Sequence, residues 1–432
     1  MKRRIVLIES NTSGTGRQFA RASRELGYEP LLVAEIPSRY PYAKVDGVEC
    51  LQAETRGEVE ELNRRIRTVA RDDEIAGSYS SSEYFIETAS KLARSRNLPS
   101  PHPEAIRMCR NKVLQRLALR AAGVGQPAFA MVHHAHEVSL HAGMLRCPVV
   151  VKPTQGSGSV GVKLCRTWPE AERHAAALLS IRANERDMVV PHEVLLEEFI
   201  SWPEYSAEMF HGRVIGITRK HLSAAPYFVE TGHDFPATFS AASLNVLQTE
   251  CIRAVRAVGL LWGPAHLEFR SDGEGIAVME INPRLAGGFI PELVRLASGV
   301  NLIEQTLRVV AGLLPNTEPS DSRHASIRFL CPRDEGLILA VAGIEGAQAV
   351  PYIADVQVYR HPGDRFLVQH DFRDRVGHVI ACAQNTADGI SAAEKAIKLL
   401  SVKMPSSRTE HEPESELSTA SLDVEQRRFA VS

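Results

Sequence analysis

Apolar positions along the chain follow two spacings. Short continuous or alternating runs read as strands, and segments with apolar residues three and four apart read as helices. Residues 4–8 form a first apolar strand, 17–26 a helix stopped by Gly27, and 30–34 a second strand. This β-α-β alternation implies a parallel sheet covered by helices. A helix over 56–69 and the apolar stretch 74–77 continue it. Pro99, Pro101 and Pro103 then exclude regular structure. A parallel α/β domain is therefore expected over 1–100. Residues 104–122 carry one helical pattern, closed by Gly123-Val124-Gly125, and 148–152 is a buried strand ending in Lys152. Further helices are expected over 170–181, 244–259, 290–297 and 302–310, and an apolar strand over 194–196. Strands at 327–330, 356–359 and 378–383 with a helix over 390–400 suggest a last, mixed α+β domain over 321–403. The middle domain spans 101–320, with a flap subdomain at about 148–200. Residues 404–432 are polar, acidic and nearly free of apolar residues, as in a disordered tail.

Composition narrows the function. The chain has 432 residues, 44% hydrophobic and 24% charged, the profile of an ordinary soluble protein. A formal charge of −2 gives no reason to expect nucleic acid or an anionic membrane as partner. No run is long and apolar enough to span a bilayer, and Glu9 and Asn11 interrupt the start too early for a secretory signal. Seven dispersed cysteines without C-x-x-C spacing argue for reduced thiols and a cytoplasmic protein. A homodimer is left open.

The candidate chemistry centres on two alternating runs, 266–270 and 276–282, either side of the polar turn 271–275. They read as a hairpin. His266, Glu268 and Arg270 share one face of the first run, and Glu280 and Asn282 one face of the second. Pairing Glu268 with Glu280 centres the turn on Glu274. Two carboxylates and an amide oxygen then meet on one surface, with Arg284 just beyond. Facing carboxylates repel, so a cation should sit between them. Hard oxygen ligands that leave room for water and phosphate describe a Mg²⁺ site for a nucleotide, with Mn²⁺ as a substitute. In isolation the same pattern is more often a solvated hairpin face.

Other stretches change that balance. Gly156-x-Gly158-x-x-Gly161 matches the dinucleotide fingerprint, but such a loop must open directly into a helix. Here Gly161 leads into a strand, and the helix waits for Thr167-Trp168-Pro169-Glu170, a capping box with an early proline. Loop 154–161 thus joins two antiparallel strands and reads as a flap whose backbone N–H groups close over phosphates. Lys152 stands at its base. The loop 13–16 lacks the lysine of a P-loop and reads mainly as a tight turn. Glu230-x-x-His233 lacks the second histidine of H-E-x-x-H, which argues against zinc.

Together these stretches resemble the ATP-grasp superfamily, which includes biotin carboxylase, D-alanine–D-alanine ligase and, nearest in look, the L-amino-acid ligases. The resemblance spans about 1–403. It implies ATP contacts at Lys112, Lys152 and the flap residues Gly156, Ser157 and Gly158. It makes Glu197, Glu198, Phe199 and Ile200 the hinge that reads adenine, and Glu204 the acid that holds ribose hydroxyls. Mg²⁺ would fall to Glu268, Glu280 and Asn282. Arg284 and Lys152 would act on the reacting groups. Glu230, His233, Arg284, Gly287 and Gly288 would border the amino-acid substrate. One of Arg219, Lys220 and His221 would meet phosphate. The implied activity is ATP-dependent joining of a small-molecule carboxylate to an amine, both amino acids, through an acyl phosphate. The alternatives are a biotin-carboxylase-like enzyme and a nucleotide-binding protein without turnover.

Overall fold

The computed structural model describes residues 3–12, 14–184 and 186–405. The tail expected over 404–432 lies outside the described residues apart from 404 and 405. Among the described residues, no helix is long and apolar enough to cross a membrane.

The N-terminal sheet is fully parallel, as the alternation predicts. Its strand order is Glu49–Gln52, Glu29–Ala34, Arg4–Ile8, Ile75–Tyr79. Ile5, Val6, Leu7 and Ile8 are all inaccessible, which fits a strand covered on both faces. The helix expected over 56–69 is shorter, Val59–Ile66, because Glu58 is still extended where the longer helix would continue. The helix Ile86–Ser95 follows the last strand.

The single helix expected over 104–122 is two helices, Pro103–Arg110 and Lys112–Ala121. Asn111 breaks them: its backbone is extended, and its Oδ1 accepts from the N–H groups of Val113 at 2.9 Å and Leu114 at 3.1 Å. Lys112 therefore opens a helix instead of lying late within one. Its backbone N–H donates to the Thr154 carbonyl at 2.9 Å, tying the helix start to the flap.

The flap belongs to a four-stranded antiparallel sheet in the order Phe129–Val132, Val194–Glu198, Val149–Pro153, Lys163–Cys165. Helix Trp168–Ser180 backs it, burying Ala171 and Ala175 against Val149, Val151 and Leu196. Thr167 accepts from the Glu170 N–H as a capping box requires. The Glu170 carboxylate, however, takes the N–H of Arg166 at 2.9 Å, one residue before the cap.

An eight-stranded sheet carries the rest. Its order is Ile276–Asn282, Pro264–Ser271, Glu204–Phe210, Arg213–Leu222, Glu230–Phe235, His324–Leu330, Gly377–Ala383, Ile353–Val358. Three C-terminal strands thus extend the sheet of the middle segment, and the shorter ones pair in two small sheets, Gly336–Leu337 with Arg365–Phe366 and Ala340–Ala342 with Ser401–Lys403. Helices Ala241–Ala257, Ile290–Ser298 and Leu302–Val310 bury its apolar faces. The C-terminal part also reaches the flap. The Phe372 N–H donates to the Gly158 carbonyl at 3.3 Å, and the His370 ring stacks on Tyr227 at 3.9 Å between centroids. Gly158 has φ +67°, and a Cβ there would come within 2.5 Å of the Phe372 ring, so the contact requires glycine.

Candidate active site

A cleft opens between the four-stranded antiparallel sheet and the hairpin end of the eight-stranded one. Lys112, Lys152, Gly156, Ser157, Gly158, Glu197, Glu198, Phe199, Ile200, Glu204, Glu230, Glu268 and Glu280 line it. Asn282, His233, Arg284, Gly287 and Gly288 are not in that lining.

At one wall, Glu197, next to last in the strand Val194–Glu198, turns its carboxylate into the protein, only 2% exposed. One oxygen accepts from Arg116 Nε at 2.7 Å and the other lies 2.7 Å from Lys152 Nζ. Arg116 is itself fully buried and donates to the Met279 carbonyl at 2.7 Å. Burial disfavours the Glu197 anion, but the two cations outweigh it and hold its pKa below the usual carboxylate range. Burial draws the Lys152 ammonium down, and Glu197 only partly restores it.

On the facing wall, Glu268 and Glu280 are direct cross-strand partners, and His266 pairs with Asn282. The expected register holds there. A bulge follows, so Phe269 pairs with Val278 and Met279 is the extra residue. The repulsion between the two acids is met by separate lysines. Lys220 Nζ lies 2.8 Å from Glu268, and Lys112 Nζ lies 3.0 Å from Glu280. The other Glu268 oxygen meets His266 Nε2 at 3.0 Å. Burial works against the His266 cation, but Glu208 and Glu268 prevail and push its pKa up to about 9.

Lys220 also reaches Glu204 at 3.0 Å and Glu230 at 2.9 Å. Despite near-complete burial, these three carboxylates raise its pKa well above the ordinary value. Of the three basic residues in question, Arg219 is exposed and His221 turns to Asp234 at 2.6 Å. Lys220 alone of these three joins the cleft acids. Arg270 pairs with Glu204 at 3.1 Å and lies over the neighbouring rings of Phe199 and Phe228.

Glu230 receives Arg375 from the C-terminal segment at 2.6 Å. His233 is completely buried, 3.4 Å from Glu230, with neither ring nitrogen hydrogen-bonded. Gly288 covers it: a Cβ there would stand 2.6 Å from His233 Nε2. Arg284 does not reach the cleft acids. It spans to Glu83, at the end of the N-terminal sheet, at 2.6 Å, and to the Leu285 carbonyl at 2.9 Å.

The donor set suits a hard divalent ion. Two carboxylates and an amide oxygen stand at adjacent positions of one hairpin face. Among the described residues no three His, Cys, Asp or Glu side chains form a metal cluster. Sequence reasoning missed Arg116, Arg270, Arg375 and Glu83. Each meets its partner from a distant segment, with no local motif to mark it.

Residues 145–292 match the ATP-grasp domain, and 328–404 match the L-amino acid ligase C-terminal domain 2. The chain is 36% identical to the uncharacterised protein y4rH of Sinorhizobium fredii, over 92% of this chain and 82% of that one. It is 26% identical to mouse carnosine synthase 1 over 57% of its own length, which is only 32% of that protein. The L-amino acid ligase structure from Bacillus licheniformis superposes with TM-score 0.77 at 20% identity, covering 94% of this chain and 99% of that one. The fold, the cleft and these matches together place the chain in the ATP-grasp family of ADP-forming carbon–nitrogen ligases, among members that carry the L-amino acid ligase C-terminal domain.

Proposed function

We propose that the chain joins an amino-acid carboxylate to the amine of a second amino acid, through an acyl phosphate, with ADP and phosphate as products. The observation that carries this reading is the convergence in one cleft of Lys112, Lys152, the flap glycines, the 197–200 hinge, Glu204 and the Glu268–Glu280 pair. A carboxylate oxygen of the first substrate attacks the γ-phosphorus and ADP leaves with the bond electrons. The amine nitrogen then attacks the acyl carbon, phosphate departs, and the amine loses a proton. Catalysis of this kind rests on positioning and charge neutralisation. Lys112 and Lys152 offset phosphate charge, and the flap N–H groups close over it. Glu268, Glu280 and Asn282 would hold Mg²⁺, or Mn²⁺ in its place, which neutralises the phosphates as they part. Arg284, once released from Glu83, orients the carboxylate. Glu230 and His233 border the amino acid, with Gly287 and Gly288 leaving room for backbone N–H groups near it.

Hydroxylamine tests the reaction class, because an acyl phosphate is trapped by any aligned nitrogen nucleophile. With ATP, Mg²⁺ and a competent amino acid, the expected products are a hydroxamate, ADP and phosphate. AMP, or ADP formed only with bicarbonate, would remove the reading in favour of an adenylating enzyme or a carboxylase. A second measurement concerns the flap. ATP analogues with Mg²⁺ should raise the melting temperature by linkage and slow proteolysis within 154–161, whereas NAD should do neither. Stabilisation by NAD alone would refute the nucleotide assignment.

A further inference from the structure

The two acids of the hairpin are each held by a lysine, and the geometry shows what those lysines could do next. Lys220 is 1% exposed at its side chain and has three N–H donors. Its three carboxylate partners, Glu204, Glu230 and Glu268, lie at 3.0, 2.9 and 2.8 Å, so the ammonium is saturated. Each of the three has a second basic partner. Glu204 keeps Arg270 at 3.1 Å, and Glu230 keeps Arg375 at 2.6 Å. Glu268 keeps His266 at 3.0 Å. Lys112 is arranged alike on the other strand. It holds Glu280 at 3.0 Å and donates to the Gly156 carbonyl of the flap at 2.9 Å.

A divalent ion bound to Glu268 or Glu280 must sit about 2.0–2.1 Å from the oxygen, close against an ammonium on the same carboxylate. The like charges repel, so joint occupancy is disfavoured unless the lysines find other anions. A triphosphate supplies them. Resting on the ligase reading above, we propose that Lys220 and Lys112 are positioning residues that guard Glu268 and Glu280, yielding them to the metal only when nucleotide phosphates take over the two ammonium groups. Metal uptake is then conditional on nucleotide. The Lys112 bond to Gly156 ties the same exchange to the flap.

Mn²⁺ titration of the full chain, followed by the loss of the free-ion electron paramagnetic resonance signal, tests this without turnover. The parent chain should bind Mn²⁺ weakly alone and should form a protein-bound Mn²⁺ species once a non-hydrolysable ATP analogue is added. Lys220→Met should bind Mn²⁺ without nucleotide on the order of tenfold more tightly than the parent, equivalent to about 1.4 kcal/mol. Adding Glu268→Gln to that variant should cancel the gain, and Lys220→Arg should behave as the parent. If Lys220→Met does not fold, Lys112→Met, which frees a single acid, carries the same expectation. Tight Mn²⁺ binding by the nucleotide-free parent, or no gain in either methionine variant, would overturn the guarding role. If the parent gains no protein-bound Mn²⁺ even with the analogue, the metal site and the ligase reading fall together.

Discussion

Glu280→Gln is expected to lower turnover by on the order of 10²-fold or more while the protein stays folded. The substitution keeps volume and removes the charge that would face the metal and the parting phosphates. About 1.4 kcal/mol of lost stabilisation is already tenfold, and a missing carboxylate at a divalent ion costs several times that. The fold should survive, because Glu280 packs nothing that glutamine cannot, and Lys112 keeps its bond to the Gly156 carbonyl. Steady-state ADP release at saturating amino acid is the measurement, with melting temperature as the control. Near-normal turnover in a folded Glu280→Gln protein would sink the metal assignment. A lost fold would show instead that the Lys112–Glu280 pair is structural.

The second large effect falls on stability. Glu197→Leu should destabilise the chain by about 3–5 kcal/mol, the usual cost of stripping one partner from a buried ion pair. Arg116 is fully buried and its Nε loses the carboxylate, while Lys152 loses the ion-pair partner 2.7 Å away. Two buried cations then face each other uncompensated. Chemical denaturation of parent and variant, read by circular dichroism, should show the midpoint shifted strongly or soluble protein lost. Glu197→Gln should fall between, since an amide oxygen still accepts from Arg116. A Glu197→Leu midpoint equal to the parent's would mean the triad is solvated in practice and contributes nothing. Because Lys152 is anchored through Glu197, the same variant also tests whether the fold presents that lysine to the cleft.

The parts legible in the sequence were those written in local pattern. Period-two alternation either side of 271–275 gave the hairpin and the pairing of Glu268 with Glu280. Glycine spacing followed by a second strand separated a flap from a dinucleotide loop. The split at Asn111 was legible in principle, since asparagine is a strong helix cap, but the continuous apolar periodicity of 104–122 masked it. The charge network was not legible. Arg116 finds Glu197 across 81 positions, Arg375 finds Glu230 across 145, and Arg284 finds Glu83 across 201. Such pairings are set by tertiary packing, and nothing in a strand's own alternation names the strand that will lie beside it. The same blindness hides the place of the C-terminal strands His324–Leu330, Gly377–Ala383 and Ile353–Val358 beyond Glu230–Phe235.

Their place in the eight-stranded sheet sets a limit on divisibility. The segment matching the ATP-grasp domain ends at residue 292, yet its strand Glu230–Phe235 is paired along its far side with His324–Leu330. Cutting the chain between them would expose a row of unpaired amides and carbonyls, the kind of open edge that recruits other chains into aggregates. It would also strip Arg328 from the buried Asp234, 2.7 Å away, and Arg375 from Glu230. The nucleotide cleft is therefore not a cassette that could be excised or transplanted: its outer border is built from a segment that the chain supplies some ninety residues later.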